Sequence, residues 1–417
     1  MAVLERAEMA THYPSISYHD KDAESMNGIT PALVVAAYRR PESLSRLLRQ
    51  LCAARYPDGL SITLVISVDG GGHERVVEIA NELEWLRGEK RVIAHSRNMG
   101  LRDHIISCGD LSLEYGSVIV LEDDLIVSPD FYIYAKGVGS YYSEEKNVAQ
   151  VSLYSYIISE LTLERFMPLY VGDDVYFMQW ASSWGQLWTA SQWSLFKDWY
   201  INNKLLTGYC DLVPRYVLDW PESSWKKFYI AYMCSTGKYT VFPYFGVTSP
   251  YGDDGENISS GSLPVVQSPL SLRWNENTSL PDFSRCKMRY DSYFQPEKIL
   301  VDEFNPNLRD YEYVVDFTGT RPLGEKCCLS VRRSSDPIYT FDWNVFPWEL
   351  NVGINGGSRL SFGESRSFSQ RLGQVDSMKL ALWGHRIMSV PTSIWINTVK
   401  LLSWAFSKCV LGGGRNR

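Results

Sequence analysis

Between Ala32 and Leu121 short apolar runs alternate with amphipathic segments, and that alternation restricts the fold more than any other feature of the chain. Ala32-Leu33-Val34-Val35-Ala36-Ala37 is apolar throughout, which marks a strand covered on both faces. After Pro41, Leu44, Leu47, Leu48 and Leu51 recur at i, i+3, i+4 and i+7, one face of a helix. Ile62 to Val68 reads as a second strand, ending at Asp69 and a Gly70-Gly71-Gly72 turn. The helix that follows carries Val76, Val77, Ala80, Leu83 and Leu86. Arg91 to His95 reads as a third strand, about Arg102 to Tyr115 as a helix, and Val118 to Leu121 as a fourth strand running straight into Glu122-Asp123-Asp124. Strands alternating with helices imply right-handed crossovers and a mostly parallel, Rossmann-like sheet flanked by helices, an α/β fold. Ligands of such sheets bind beyond the carboxyl ends of the strands. Asp69 and the acidic triplet both fall there.

The chain is too long for one ordinary domain. The reading divides it into a flexible N-terminal segment (1–29), the α/β domain (30–258), a Ser/Pro/Asn-rich linker (259–283) and a C-terminal accessory region (284–417). The aromatic-rich stretch from Val148 to about Ile258, with Trp180, Trp184, Trp188, Trp193, Trp199, Trp220 and Trp225, is taken as the second half of the α/β domain. Flat aromatic faces pack on sugar rings, but they also build ordinary cores. In the accessory region Tyr311 to Phe317 and Ile338 to Phe346 alternate as strands do. A formal net charge of −7 gives nucleic acid no electrostatic footing. The eight cysteines lack a CxxC pair and read as reduced thiols. Met1 to Asn27 is polar, without the apolar stretch of a secretory signal or membrane anchor, so a cytoplasmic protein is expected.

Three adjacent carboxylates repel one another unless a cation sits among them. Mg²⁺ or Mn²⁺ takes a few carboxylates, completes its shell with diphosphate oxygens and neutralises a departing diphosphate. The bland alternative is an acidic cap on the following helix, which Ser128, Pro129 and Asp130 can supply alone.

Three segments occur in order: Val35-Ala36-Ala37-Tyr38-Arg39-Arg40-Pro41; Ser67-Val68-Asp69-Gly70-Gly71-Gly72-His73-Glu74; and Val120-Leu121-Glu122-Asp123-Asp124-Leu125 with Pro129-Asp130-Phe131. Asn98-Met99-Gly100-Leu101-Arg102, Ser183-Trp184-Gly185, Ser224-Trp225, Phe242-Pro243 and Tyr251-Gly252-Asp253-Asp254-Gly255 join them. Over roughly residues 31 to 257 the chain resembles the GT-A glycosyltransferase domain of N-acetylglucosaminyltransferase I and of bacterial enzymes of surface-polysaccharide synthesis. The resemblance implies an inverting hexosyl transfer from a nucleotide-diphosphate sugar, UDP-sugar favoured, to a glycan or lipid-linked oligosaccharide. By it, Arg39 lies near the nucleotide and Asp69 accepts a hydrogen bond from uracil. Asp124 becomes the direct ligand of Mn²⁺ or Mg²⁺, with Glu122 and Asp123 holding the ribose and the metal's surroundings. Asn98, Gly100, Leu101 and Arg102 line the donor pocket. Outside that context Arg39 reads as a surface ion pair and Asp69 as a turn residue.

Inverting transfer needs a carboxylate to take the proton of the acceptor hydroxyl. The matching neighbourhood is Asp219-Trp220-Pro221-Glu222-Ser223-Ser224-Trp225-Lys226-Lys227, where Ser223 or Lys226 replaces the aspartate the resemblance calls for. Glu222 is the first substitute and Asp219 the second, with Asp173 and Asp174 as further candidates. A histidine expected after the Gly-rich turn is also missing, Asn257 being nearest. A catalytically degenerate domain that binds nucleotide or glycan without turnover therefore stands as an alternative. A nucleotidyltransferase ranks below both, because no Gly-rich basic loop follows the first strand. Trp383 to Val410 is too short and interrupted to span a bilayer. It reads either as an amphipathic helix lying on an anionic membrane or as a packing helix.

Overall fold

The computed structural model describes residues 28–206, 208–209, 212–253, 266–274, 278–354 and 356–369. The expected N-terminal segment through residue 27, Asn257 and the terminal amphipathic stretch lie outside the described residues. Among those described, no helix is long and apolar enough to cross a membrane.

The first six elements follow the alternation read in the sequence: β1 (Ala32–Ala37), α1 (Pro41–Ala53), β2 (Leu64–Val68), α2 (Glu74–Glu82), β3 (Lys90–Ala94) and α3 (Leu101–Asp110). The continuous helix expected up to Tyr115 breaks at Leu111 into α3 and a short α4 (Ser112–Tyr115). Then come β4 (Ser117–Glu122), β5 (Leu125–Val127), α5 (Phe131–Tyr141), β6 (Val148–Ser152), β7 (Val175–Met178), β8 (Gln186–Thr189), α6 (Ala190–Asn202), α7 (Arg215–Leu218), α8 (Trp225–Thr236), β9 (Tyr239–Pro243) and β10 (Thr248–Pro250). The chain continues through β11 (Arg289–Tyr290), α9 (Lys298–Phe304), β12 (Tyr313–Asp316), β13 (Cys327–Ser330), β14 (Tyr339–Phe341) and β15 (Leu360–Glu364).

Nine strands form one sheet in the order β11-β7-β9-β6-β8-β4-β1-β2-β3. β1 to β4 are mutually parallel, with β1 between β2 and β4. β8 runs antiparallel between β4 and β6, while β6 and β9 are again parallel. Helices α1, α2 and α5 form one covering layer, and α3, α4, α6 and α8 another. Every residue of β1 is buried, as its apolar run requires. Complete burial of a Leu or Val side chain is worth about 1.5–3 kcal/mol, so β1 anchors the sheet's centre.

The aromatic wealth of the middle of the chain is largely core. Trp188, Trp193 and Trp225 are fully buried and meet Phe196 and Tyr229 between β8, α6 and α8. The described parts of 259–283 pack on the large domain. Trp274 sits edge-on to Tyr134, with ring centroids 4.5 Å apart, and Phe283 is buried. β11 joins the large sheet beside β7, so structure beyond residue 284 also belongs to that core. A second sheet, β12-β13-β15-β14, encloses its own smaller core around Leu329, Phe341, Leu360 and Phe362. The six described cysteines are free thiols.

Candidate active site

The chain leaves β1 toward β2 and β3 on one side and returns to β4 on the other. The carboxyl ends of β1 and β4 therefore open a crevice at the point where strand order reverses, where open α/β sheets take their ligands. Tyr38-Arg39-Arg40 leaves β1 here, and Glu122-Asp123-Asp124 leaves β4.

The acidic run does not cap a helix. Asp123 and Asp124 form the turn between β4 and β5, and β5 pairs with β10 rather than starting α5. The Asp124 carbonyl accepts from Tyr251 N–H at 2.9 Å, which fixes the turn to the strand pair. α5 begins only at Phe131, and Asp130 is occupied by Arg55 at 2.5 Å and Trp274 N–H at 2.9 Å.

The cation among these carboxylates is Arg40. Its Nε donates to Asp123 Oδ1 at 3.0 Å and its Nη1 to Asp124 Oδ2 at 2.7 Å. Arg39, one position earlier, is exposed, with its guanidinium 5.9 Å from the Tyr38 ring centroid. One guanidinium against three carboxyls leaves the turn acidic. Burial, with Asp124 adding to it, pushes the Glu122 carboxyl up to about 8. Burial also raises Asp123, to about 6, against the opposing pull of Arg40. Asp124 Oδ1 is buried with no hydrogen-bond partner.

That unpartnered oxygen tests whether a metal fits. Among the described residues no group of three or more His, Cys, Asp or Glu side chains converges as a ready-made cage. A hard divalent ion that takes its remaining ligands from water and a diphosphate needs only one or two carboxylates. Asp124 Oδ1 offers one, with Asp123 adding negative charge beside it and Glu122 a further carboxyl that an ion can ionise. The residues fit such an ion.

On the β2 side a cradle is built from backbone. Asp69 is buried, and its carboxylate accepts the N–H groups of Gly70 at 2.9 Å, Met99 at 2.8 Å and Gly100 at 3.2 Å. Met99 and Gly100 lead into α3, whose free N-terminal N–H groups favour that negative charge. Asn98 ties the loop to Tyr38, donating to the Tyr38 hydroxyl at 2.8 Å and accepting Gly100 N–H at 2.7 Å. Two glycines are required by close approach: a Cβ on Gly70 would overlap the Arg97 backbone, and one on Gly72 the Tyr38 carbonyl. Leu101 is the exposed first residue of α3, and Arg102 reaches away to the Glu222 carbonyl at 2.7 Å. Behind Asp69, Ser67 Oγ lies 3.1 Å from His95 and 2.9 Å from His104, whose imidazole burial pushes down to about 4.

The carboxylates expected near the acceptor are spread out. Glu222 is 68% exposed and pairs with buried Lys227 at 2.6 Å. Asp219 forms an exposed 2.9 Å pair with Arg215. Asp174 accepts Ser279 N–H at 2.8 Å beside Asp173, which takes the Ser279 hydroxyl at 3.0 Å. These two precede β7, four places along the sheet from β4, roughly 19 Å away at normal strand spacing. The structure therefore gathers Asp69, Asn98, Gly100, Glu122, Asp123 and Asp124 at neighbouring strand ends, and sets Asp173 and Asp174 apart. Arg40 and Tyr38 join the site without having been assigned a role. A pair of adjacent arginines gives no hint which one turns inward; the register of β1 and the bend at Tyr38 and Arg39 before α1 decide it.

No protein-family model matches the chain, and no curated protein matches it. Among solved structures it is similar to TarS of S. aureus (11% identity over 51% of this chain and 35% of that one, TM-score 0.34). It is likewise similar to GalNAc-T7 with UDP, GalNAc and Mn²⁺ (14%, 53% and 43%, 0.36). A third is the mannosyltransferase PcManGT from Pyrobaculum calidifontis with GDP-Man and Mn²⁺ (11%, 51% and 55%, 0.32). The chain thus covers less than two thirds of each of these structures. The α/β architecture and the strand-end site stand on their own geometry.

Proposed function

We propose that the chain is a glycosyltransferase that moves a sugar from a nucleoside-diphosphate donor, a UDP-sugar in preference, to a hydroxyl of a glycan or lipid-linked oligosaccharide. The observation that carries this reading is the crevice between β1 and β4. There, a buried, unpartnered oxygen of Asp124 lies in an acidic turn next to the Asp69–Tyr38 cradle. Asp69 still has lone pairs to accept an imide N–H, and the half-buried Tyr38 ring beside it offers a face to a nucleobase. Arg40 holds Asp123 and Asp124 in place and lends positive charge to the diphosphate region. A bound Mn²⁺ or Mg²⁺ would supply Lewis-acid stabilisation of the departing diphosphate, with Asp124 as its ligand and Glu122 and Asp123 alongside. Inversion at the anomeric carbon and a place in surface-polysaccharide synthesis follow from the motif resemblance.

Titration calorimetry with UDP and Mn²⁺, followed by UDP release from UDP-glucose, UDP-galactose, UDP-GlcNAc and UDP-GalNAc, tests the proposal. The expected result is Mn²⁺-dependent binding with turnover of at least one donor. Absence of any Mn²⁺-dependent nucleotide binding overturns it. That Glu222 and Asp219 are both more than half exposed favours a second reading, binding without turnover, for which UDP binds while every donor survives.

A further inference from the structure

Lys226, one of the two residues, with Ser223, that stand where an aspartate was expected, leads to a carboxylate that no motif marks. Its ammonium lies 2.8 Å from Glu160 Oε1 and 3.0 Å from Oε2, and the Tyr156 hydroxyl donates to Oε1 at 2.7 Å. Around the ammonium stand the rings of Trp180, Trp184 and Trp220, at 5.8, 5.9 and 5.4 Å. Trp180 and Tyr156 are buried, whereas the Glu160 and Lys226 side chains keep 18% and 14% of their surface. An ion pair withdrawn this far from water stabilises a fold poorly, because desolvation offsets the Coulomb gain.

The position of the cluster gives it a role. The Trp184 carbonyl accepts the Thr248 hydroxyl, and Thr248 pairs across β10 and β5 with Val127, three residues after Asp124. Along the rim the order is β2 with Asp69, β1 with Arg40, β4 with the acidic turn, then the approach to β8 with Trp184. A nucleotide sugar with its base at β2 and its diphosphate between β1 and β4 has its sugar directed toward β8. The aromatic recess lies on that far side, about one strand spacing beyond the acidic turn.

Resting on the donor reading above, we propose that this recess receives the acceptor sugar and that Glu160 is the catalytic residue that takes the proton from its attacking hydroxyl. The acceptor O–H bond breaks and the proton passes to a Glu160 oxygen. The acceptor oxygen forms the new bond to the anomeric carbon. The bond from that carbon to the diphosphate oxygen breaks, and its electron pair leaves with the diphosphate. Lys226 and the Tyr156 hydroxyl hold the carboxylate in position, and the partly open Trp220 face packs on the acceptor ring.

The test compares wild type, Glu160→Gln and Glu160→Ala with a donor of the UDP-sugar panel and Mn²⁺. Glu160→Gln is expected to lower kcat by about 10²–10⁴-fold with unchanged UDP affinity. Glu160→Ala is expected to regain UDP release in azide, which attacks without losing a proton, with a glycosyl azide detected by mass spectrometry. A merely structural Glu160 gives no such rescue. Wild-type turnover in Glu160→Gln overturns the assignment, as does loss of turnover in Glu222→Gln with Glu160→Gln active. A wild type that binds UDP but consumes no donor also overturns it. Failure of wild type to bind UDP at all instead removes the donor reading beneath it.

Discussion

The two sides of the sheet rim are built by opposite means. On the β1–β2–β4 side the groups come from short segments directly after strands, and backbone does much of the holding: Asp69 is fixed by three N–H groups and two glycines allow the loops to meet. On the β8 side the recess is assembled from side chains of loops and helix ends far apart in sequence, Tyr156, Glu160, Trp180, Trp184, Trp220 and Lys226. The first construction suits an invariant ligand part such as a nucleoside diphosphate. Under the proposed function, the second would let side-chain changes alter which acceptor is taken while the donor cradle stays intact.

The division is open to attack at four points. Asp124→Asn is expected to lower kcat by about 10²–10³-fold and to abolish the effect of Mn²⁺ on UDP binding, read by calorimetry and UDP release. Full activity in that variant ends the assignment of Asp124. Arg40→Ala leaves Asp123, whose side chain is 3% exposed, without its cation. The expected cost is about 2 kcal/mol in urea unfolding, less than a fully buried pair because Arg40 itself is 24% exposed. An undiminished midpoint would show that the acidic turn does not depend on it. On the other side, Trp220→Ala should raise the acceptor KM by about fivefold while UDP affinity holds, in line with roughly 1 kcal/mol for an aromatic contact. Equal losses for donor and acceptor would dissolve the distinction.

An effect of similar size concerns pH. Burial raises Glu122 to about 8, so its protonated form is favoured in the folded chain. The stability it contributes is fully present below the unfolded carboxylate pKa and is lost as pH rises through about 8. A divalent cation prefers the ionised carboxyl, so Mn²⁺–UDP affinity should rise about three- to tenfold between pH 7 and 9. Calorimetry in buffers of different ionisation enthalpy should show proton release at pH 7. A flat profile separates Glu122 from the metal region.

Legibility followed the same line. Ala32–Ala37 is a strand over the very residues its apolarity marked, and Asp69 and Glu122-Asp123-Asp124 sit at strand ends as read. Each depends on local pattern and on the rule that ligands gather at carboxyl ends. Glu160 gave no such signal. It lies in an irregular connection after β6, and its partner Lys226 is distant in the chain, so only folding shows them as a pair. The tryptophans were ambiguous for a related reason: composition does not say which ring faces core and which faces a ligand, and Trp188 proved fully buried while Trp220 is partly open.

By itself the sequence determined the alternating β/α order, the centre of the sheet and the acidic and glycine-bearing strand ends, because periodicity and chain continuity act over a few neighbouring residues. The tertiary structure alone decided that Arg40 rather than Arg39 meets Asp123 and Asp124, that β11 and parts of 259–283 complete the large domain, and that Glu160 and Lys226 form a pair. Those outcomes depend on sheet order and strand register. These bring distant segments together through the packing of the whole core rather than through any local preference.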